Sequence, residues 1–169
     1  MSNTRIEKDS MGELAVPAEA LYAAQTQRAV DNFPVSGQPM PAPFIRALLL
    51  AKRAAATANS ELEQIPTELA EAICGAVDEL LTEDFMPHFP VDVLQTGSCT
   101  SSNMNANEVL ATLAARRYGQ PVSANDHINC GQSSNDIIPS SIHISAAMEL
   151  AEQLDRKSTR LNSSHRIAS

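Results

Sequence analysis

A chain of 169 residues at 43% hydrophobic is long enough for a single core, and with aromatics at 4% and no Trp that core must rest on Leu, Ile, Val, Ala and Met. The net charge of -8, with no basic face, argues against nucleic acid as a partner. No run approaches transmembrane length and residues 1–10 are too polar for a secretory leader, so the expectation is a soluble, cytoplasmic protein with no membrane partner. Cys74, Cys99 and Cys130 are well separated, form no C-x-x-C pair and keep no zinc-ligand spacing with histidine. They suit a reducing compartment, and neither a metal nor an iron–sulfur cluster is expected.

Residues 1–43 show weak periodicity, with turn signals at Gly12, Pro17, Pro34, Gly37 and Pro39, which predicts an irregular arm with a short helix near 18–30. Residues 44–59 read as helix, with Phe44, Leu48 and Ala51 on one stripe. Thr67 is placed to cap the next helix, in which Leu69, Ile73, Ala76, Val77, Leu80 and Leu81 recur at helical spacing. Pro87 and Pro90 end it and lead into an extended stretch over 91–95. A turn of small residues, 96–100, then opens a helix carrying Met104, Val109, Leu110 and Leu113; Arg116 and Arg117 suit its C-terminus, Gly119 its stop, and Pro121 lies beyond. Residues 122–136 are polar and read as loop. Pro139 fits the first turn of a last helix, on which Ile142, Ala146, Leu150 and Leu154 fall every fourth residue along one face.

The stripe stops at Asp155. DRKSTRLNSSH, residues 155–165, resembles the in-frame translation of a sequencing-library adapter, and 155–169 is read as a non-native tail. The fold expected is mainly α: an irregular helical N-terminal domain over 1–136, then 137–154 as the first helix of a truncated central helix bundle.

The chemistry concentrates in QTGSCTSSNMNANEV, residues 95–109. Hydroxyls and flexible backbone gather where a helix leaves its first N–H groups unpaired, a point that attracts anions. Asn103, Asn105 and Asn107 are poor helix formers, so something other than helix stability accounts for them. A second cluster, Gln132, Ser133, Ser134 and Asn135, joins the first, Ser98, Thr100, Ser101 and Ser102. Each donor is worth about 1.5–3 kcal/mol to a carboxylate, and two clusters suit a small dicarboxylate held at both ends. The plainer alternatives are a Ser/Thr cap on a polar helix face for the first cluster and an Asx/Ser turn capping a helix for the second.

TGSCTSSNMNANEV and GQSSND (131–136), with KDSMGE (8–13) and AQTQRAVDNF (24–33), resemble class II fumarate hydratase of the fumarase/aspartase superfamily over residues 4–154. The resemblance implies reversible hydration of fumarate to L-malate without a cofactor or metal, by a homotetramer whose active sites combine motifs from different subunits. It assigns substrate binding to Ser98, Cys99 and Thr100 in one turn and to Ser133, Ser134 and Asn135 in the other. The family's base is a histidine in a Thr-His motif, and its cation comes from a mobile Ser-rich loop bearing Lys and Asn. Both lie further along the family's chain and neither occurs here, so no catalytic residue is assigned and the chain alone is expected to be inactive.

No lysine or arginine lies in either motif, whereas Glu108, Asp126 and Asp136 are negative; Arg116 stands roughly 24 Å beyond Thr100 along a helix. A second anion site is implied at Ser123, Ala124, Asn125 and Asp126, where the family has His-Pro-Asn-Asp; without that histidine the site lacks a switchable positive charge. Cys99 stands where the family usually has glycine. It is either a reactive thiol at a helix N-terminus or, the favoured reading, a small inert filler. His88 and His143 are expected in surface or packing roles. Two alternatives stay open: aspartate ammonia-lyase, against which TGS and QSSND (rather than QSTND) lean, and a non-catalytic helical assembly subunit.

Overall fold

The computed structural model describes residues 3–9 and 11–154. The segment read as a non-native tail, 155–169, lies outside the described residues, as does the side chain of Leu154.

The arm is only partly irregular. It begins with an antiparallel hairpin of β1 (Thr4–Asp9) and β2 (Gly12–Pro17), Thr4 opposite Pro17 and Asp9 opposite Gly12. The usual hydrophobic alternation is inverted in β1: Arg5, Glu7 and Asp9 face inward, half-buried, while Ile6 is 65% exposed. Such a strand carries no period-2 apolar signal to read. Its inward charges are all answered. The Arg5 guanidinium donates to Glu7 Oε1 (2.7 Å) and to the carbonyls of Pro17, Ala18, Ala20 and Tyr22 (2.7–3.1 Å), and Arg28 grips Asp9 at 2.8 and 3.0 Å. Gly12, at φ 116, makes the tight return possible.

Helix α1 (Ala24–Asn32) follows, overlapping the expected region but starting and ending later. Ala23 has no side chain able to cap it, and the cap comes from 85 residues away. The buried Glu108 carboxylate accepts from the N–H groups of Ala23 (2.9 Å), Gln25 (3.0 Å) and Thr26 (3.1 Å) and from Thr26 Oγ1 (2.6 Å). A negative group there meets both the unpaired donors and the positive end of the helix dipole.

Helix α2 (Ala42–Glu61) runs slightly past the expected helix at both ends, led in by Pro41 and Pro43. Helix α3 (Thr67–Thr82) follows, with Pro66 rather than Thr67 in the capping position; Thr67 is its first residue, and its hydroxyl instead accepts from Ser60 Oγ at 3.2 Å. The segment between them and the central helix is pinned by Asp92. Its carboxylate accepts from the N–H groups of Leu94, Ser36 and Gly37 and from the Ser36 hydroxyl, all at 2.7–2.8 Å. Those bonds hold its pKa down to about 2.

Helix α4 (Thr100–Tyr118) is central, packing against α1, α2, α3 and α5. It ends as expected at Gly119, in the left-handed region at φ 76, whose N–H returns to the Ala115 carbonyl (2.9 Å). Residues 122–136 are not simply loop: Ala124–Ile128 form one wide, π-helical turn against α4. Helix α5 (Ser134–Glu149) lies along α2 and continues into a wider turn, Leu150–Leu154. Because Ser133 caps it, accepting from the Asn135 N–H, the helix starts earlier than expected. Pro139 therefore sits inside it rather than in its first turn, removing the helical donor to the Asn135 carbonyl.

Ile137, Ile138 and Ser141 are buried on α5, whereas the stripe residues Ile142, Ala146 and Leu150 are exposed. The core joins Val16, Ile45, Leu48, Leu49, Ile73, Val77, Val109 and Leu110 with Phe44 and Phe89, mostly aliphatic as the composition led one to expect. The fold is mainly α: five helices and one small hairpin among the described residues, with no helix there long and apolar enough to cross a membrane.

Candidate functional site

The turn before α4 is built from unusual backbone. Gly97–Cys99 form one 3-10 turn, in which Ser98 (φ 61) and Cys99 (φ 50) are both left-handed. Side chains cost roughly 1–2 kcal/mol in that conformation, and such strain gathers at functional turns. Glycine would sit at position 99 without strain; Cys99 takes it with its side chain packed against the core, and burial pushes its thiol pKa up. The inert-filler reading of Cys99 fits that environment better than the reactive one.

Neither Ser98 nor Cys99 caps α4. Gln95 does, its Oε1 accepting from the Ser102 N–H (2.9 Å) while its Nε2 donates to Ser102 Oγ and the Asp92 carbonyl (both 2.8 Å). Thr96 and Ser101 hydroxyls pair at 3.1 Å, and Ser98 and Thr100 are exposed. A cap supplied from outside the turn leaves the Ser98 and Thr100 side chains facing solvent.

The second cluster arrives at the same place. The 97–99 turn packs against α5, whose first turn carries Ser134 and Asn135 with Ser133 as its cap. Asn103, one helical turn into α4, donates to Ser134 Oγ (3.2 Å) and joins the clusters directly. Donors separated by more than thirty residues in sequence are thereby gathered at the N-terminal ends of two neighbouring helices.

The three asparagines of α4 are buried and engaged. Asn105 Nδ2 donates to the His88 carbonyl (2.9 Å), while Asn103 and Asn107 converge on Asn129 Oδ1 (3.1 and 3.2 Å). A third donor reaches that oxygen, and the linear reading missed it: Lys52, on α2, is 1% exposed. Its Nζ donates to Asn129 Oδ1 (3.1 Å) and Gln132 Oε1 (2.7 Å). Neither motif contains a lysine or arginine, but packing brings this one beneath the second cluster. Lys52 lies some eighty residues from QSSND in sequence, and no local motif marks it. Burial pushes its pKa down to about 7. Both of its partners are protein groups, so Lys52 braces the 129–132 turn rather than presenting charge at the surface. Asn59 adds to that brace by donating to the Cys130 carbonyl (2.9 Å).

At Ser123, Ala124, Asn125 and Asp126 the hydrogen bonds are closed internally. Ser123 Oγ donates to Asp126 Oδ2 (2.7 Å) and accepts from the Asp126 N–H (3.1 Å), and the Ser123 N–H is taken by His127 Nδ1 (3.0 Å). These donors are already engaged, beside a carboxylate that repels anions. His88 is half-buried in a short turn, where burial lowers its pKa, and His143 is exposed on α5. No three His, Cys, Asp or Glu side chains among the described residues come together in a way that would hold a metal ion.

The model of a family described as lyase matches residues 12–166. Fumarate hydratase class II 2 of Pseudomonas aeruginosa is 71% identical over 154 residues, covering 91% of this chain and 34% of that protein. The class II fumarate hydratase of Xylella fastidiosa strain 9a5c is 53% identical, over 91% of this chain and 33% of its own length. Among solved structures, the class II fumarase of Schistosoma mansoni superposes with a TM-score of 0.84 at 40% identity, covering 89% of this chain and 33% of that one. The chain thus spans about a third of the length of the relatives it matches. Since the family model matches most of its length, the chain belongs to the lyase family, and its sequence places it with the class II fumarate hydratases.

Proposed function

We propose that this chain forms the N-terminal third of an enzyme that hydrates fumarate reversibly to L-malate, and that it supplies the substrate-binding donors while the rest of the protein supplies the chemistry. The observation that carries the reading is the convergence of the two donor turns at the open ends of α4 and α5. In it the turn of Ser98, Cys99 and Thr100 engages the substrate from one side through the Ser98 and Thr100 hydroxyls, with Cys99 packed as filler between them, and Ser133, Ser134 and Asn135 engage it from the other, each charge-assisted bond contributing about 1.5–3 kcal/mol. No metal or cofactor takes part.

Hydration also needs a base and a positive group for the charge that develops on the substrate carboxylate. Lys52 is buried on protein partners and fills neither role. The catalytic groups therefore come from the part of the protein that follows, and the chain alone is inactive. Residues 1–136 act as one domain, and 137–154 begin a central bundle in which the exposed face of Ile142, Ala146 and Leu150 is covered. The complete protein works as a cytoplasmic homotetramer with no nucleic-acid or membrane partner. With Ser123 and Asp126 bonded to each other, the segment of Ser123, Ala124, Asn125 and Asp126 is a weak anion site.

The test joins residues 1–154 to the remaining two-thirds of the Pseudomonas aeruginosa relative and expresses the fusion in a strain lacking its own fumarases. The absorbance of the fumarate double bond should fall as malate forms. Consumption of ammonia with fumarate would instead make the chain part of an aspartate ammonia-lyase, and an assembled but inert fusion would make it an assembly subunit.

A further inference from the structure

We propose that Asn103 is a positioning residue for this site: it holds the Ser134 hydroxyl so that its proton is given to the substrate carboxylate. This rests on the reading of Ser134 as a substrate donor. A free hydroxyl is both donor and acceptor, and nothing in a Ser-Ser-Asn sequence decides which role it plays.

The buried network decides it step by step. Lys52 Nζ faces Asn129 Oδ1 and Gln132 Oε1 and, as ammonium or as amine, has an N–H to donate to each, which makes Asn129 Oδ1 an acceptor. The other end of that amide agrees, since Asn129 Nδ2 donates to the Gln132 carbonyl (3.1 Å). The group that Asn103 turns toward Asn129 must then be its NH2, and one of its two protons goes to Asn129 Oδ1 (3.1 Å). The second goes to Ser134 Oγ (3.2 Å). Ser134 accepts from Asn103, so its own proton points to a group outside the network.

A second observation supports this direction. Asn103 is 2% exposed and its Oδ1, like that of Asn107, has no hydrogen-bond partner among the described residues. A buried amide is held with its acceptor unsatisfied, an arrangement that its own bonding would not select. What the orientation does secure is the pair of donated bonds. It also accounts for an asparagine at this helix position, where propensity disfavours one. A ligand at Ser134 must accordingly present an acceptor, as a carboxylate does.

The experiment uses the active fusion described above. Asn103→Asp keeps the shape of the side chain but replaces the NH2 by an acceptor, so Ser134 must turn its proton inward. KM for fumarate should rise about tenfold, more than kcat falls, and Ser134→Ala should produce a rise of similar size. In the double variant, Asn103→Asp should add less than twofold to Ser134→Ala, because the hydroxyl it acts through is gone. Asn107→Asp places the same charge on the same helix next to the same Asn129 oxygen, without touching Ser134. It should leave KM within about twofold, which a merely structural effect of a buried carboxylate would not. Should Asn103→Asp fail to assemble, Asn103→Ala removes the donor without adding charge and carries the same expectation. Effects of Asn103→Asp and Ser134→Ala that multiply, or an unchanged KM in the Asn103 variants, would overturn the proposal. An unchanged KM in Ser134→Ala alone would instead sink the reading of the site, and the proposal with it.

Discussion

Replacing Lys52 by Met should change the pH dependence of stability more than stability itself. In the folded chain burial lowers the Lys52 pKa to about 7, whereas an unfolded lysine titrates near 10.4. Between those values the unfolded state holds one proton more than the folded state, so this group makes stability rise with pH, by about 1.4 kcal/mol per pH unit. Below about pH 7 the lysine is protonated in both states, and in the folded one its three N–H groups find only two acceptors, Asn129 Oδ1 and Gln132 Oε1. Above it the neutral amine has two N–H groups for two acceptors. Methionine fills the same volume without the charge but leaves Gln132 Oε1 without its lysine donor. Urea unfolding of both proteins, followed by circular dichroism from about pH 6 to about pH 9, isolates the term because other groups cancel in the difference. The stability of the lysine form should gain about 2–3 kcal/mol on the methionine form over that interval. A difference that stays constant within about 0.5 kcal/mol would show that Lys52 remains charged, and the reasoning from burial would be refuted.

In the active fusion, Thr100→Val should lower kcat/KM roughly ten- to a hundredfold by removing one charge-assisted donor; less than a twofold change in steady-state kinetics would reduce Thr100 to a helix-terminal hydroxyl. The purified 169-residue chain should show no measurable hydration of fumarate, since loss of a general base alone typically costs about 10²–10⁴-fold. Robust turnover that disappears in Ser98→Ala would mean that the catalytic groups lie within it. Glu108→Ala should cost about 3 kcal/mol or more in urea unfolding, because four donors at the start of α1 lose one buried acceptor. A loss under about 1 kcal/mol would mean that water replaces the cap. Asp92→Asn should be less stable than the parent chain above about pH 4. That gap should close as pH falls toward about 2, where the native carboxylate is protonated; a gap independent of pH would assign the effect to packing.

The parts that the sequence determined by itself are those governed by near neighbours. Helices α2, α3 and α4 are written in apolar residues at helical spacing, and Gly119 marks the end of α4 because only a left-handed residue can turn the chain there. The two donor clusters are also legible, since the residues that carry each of them are consecutive. Tertiary structure decided the rest, through groups distant in sequence. The hairpin was hidden because β1 turns Arg5, Glu7 and Asp9 inward, and the carbonyls that hold Arg5 and the guanidinium that holds Asp9 lie further along the chain. Pro139 misled because the start of α5 is set by Ser133 rather than by the proline. The cap of α1 is Glu108, and the brace beneath QSSND is Lys52, each more than seventy residues from the group it holds. Local propensity can indicate that Asn103 serves something other than its helix. Only the packing of α2, α4 and α5 around Asn129 shows which way its protons point, because a hydrogen bond's direction is set by the partner and not by the residue.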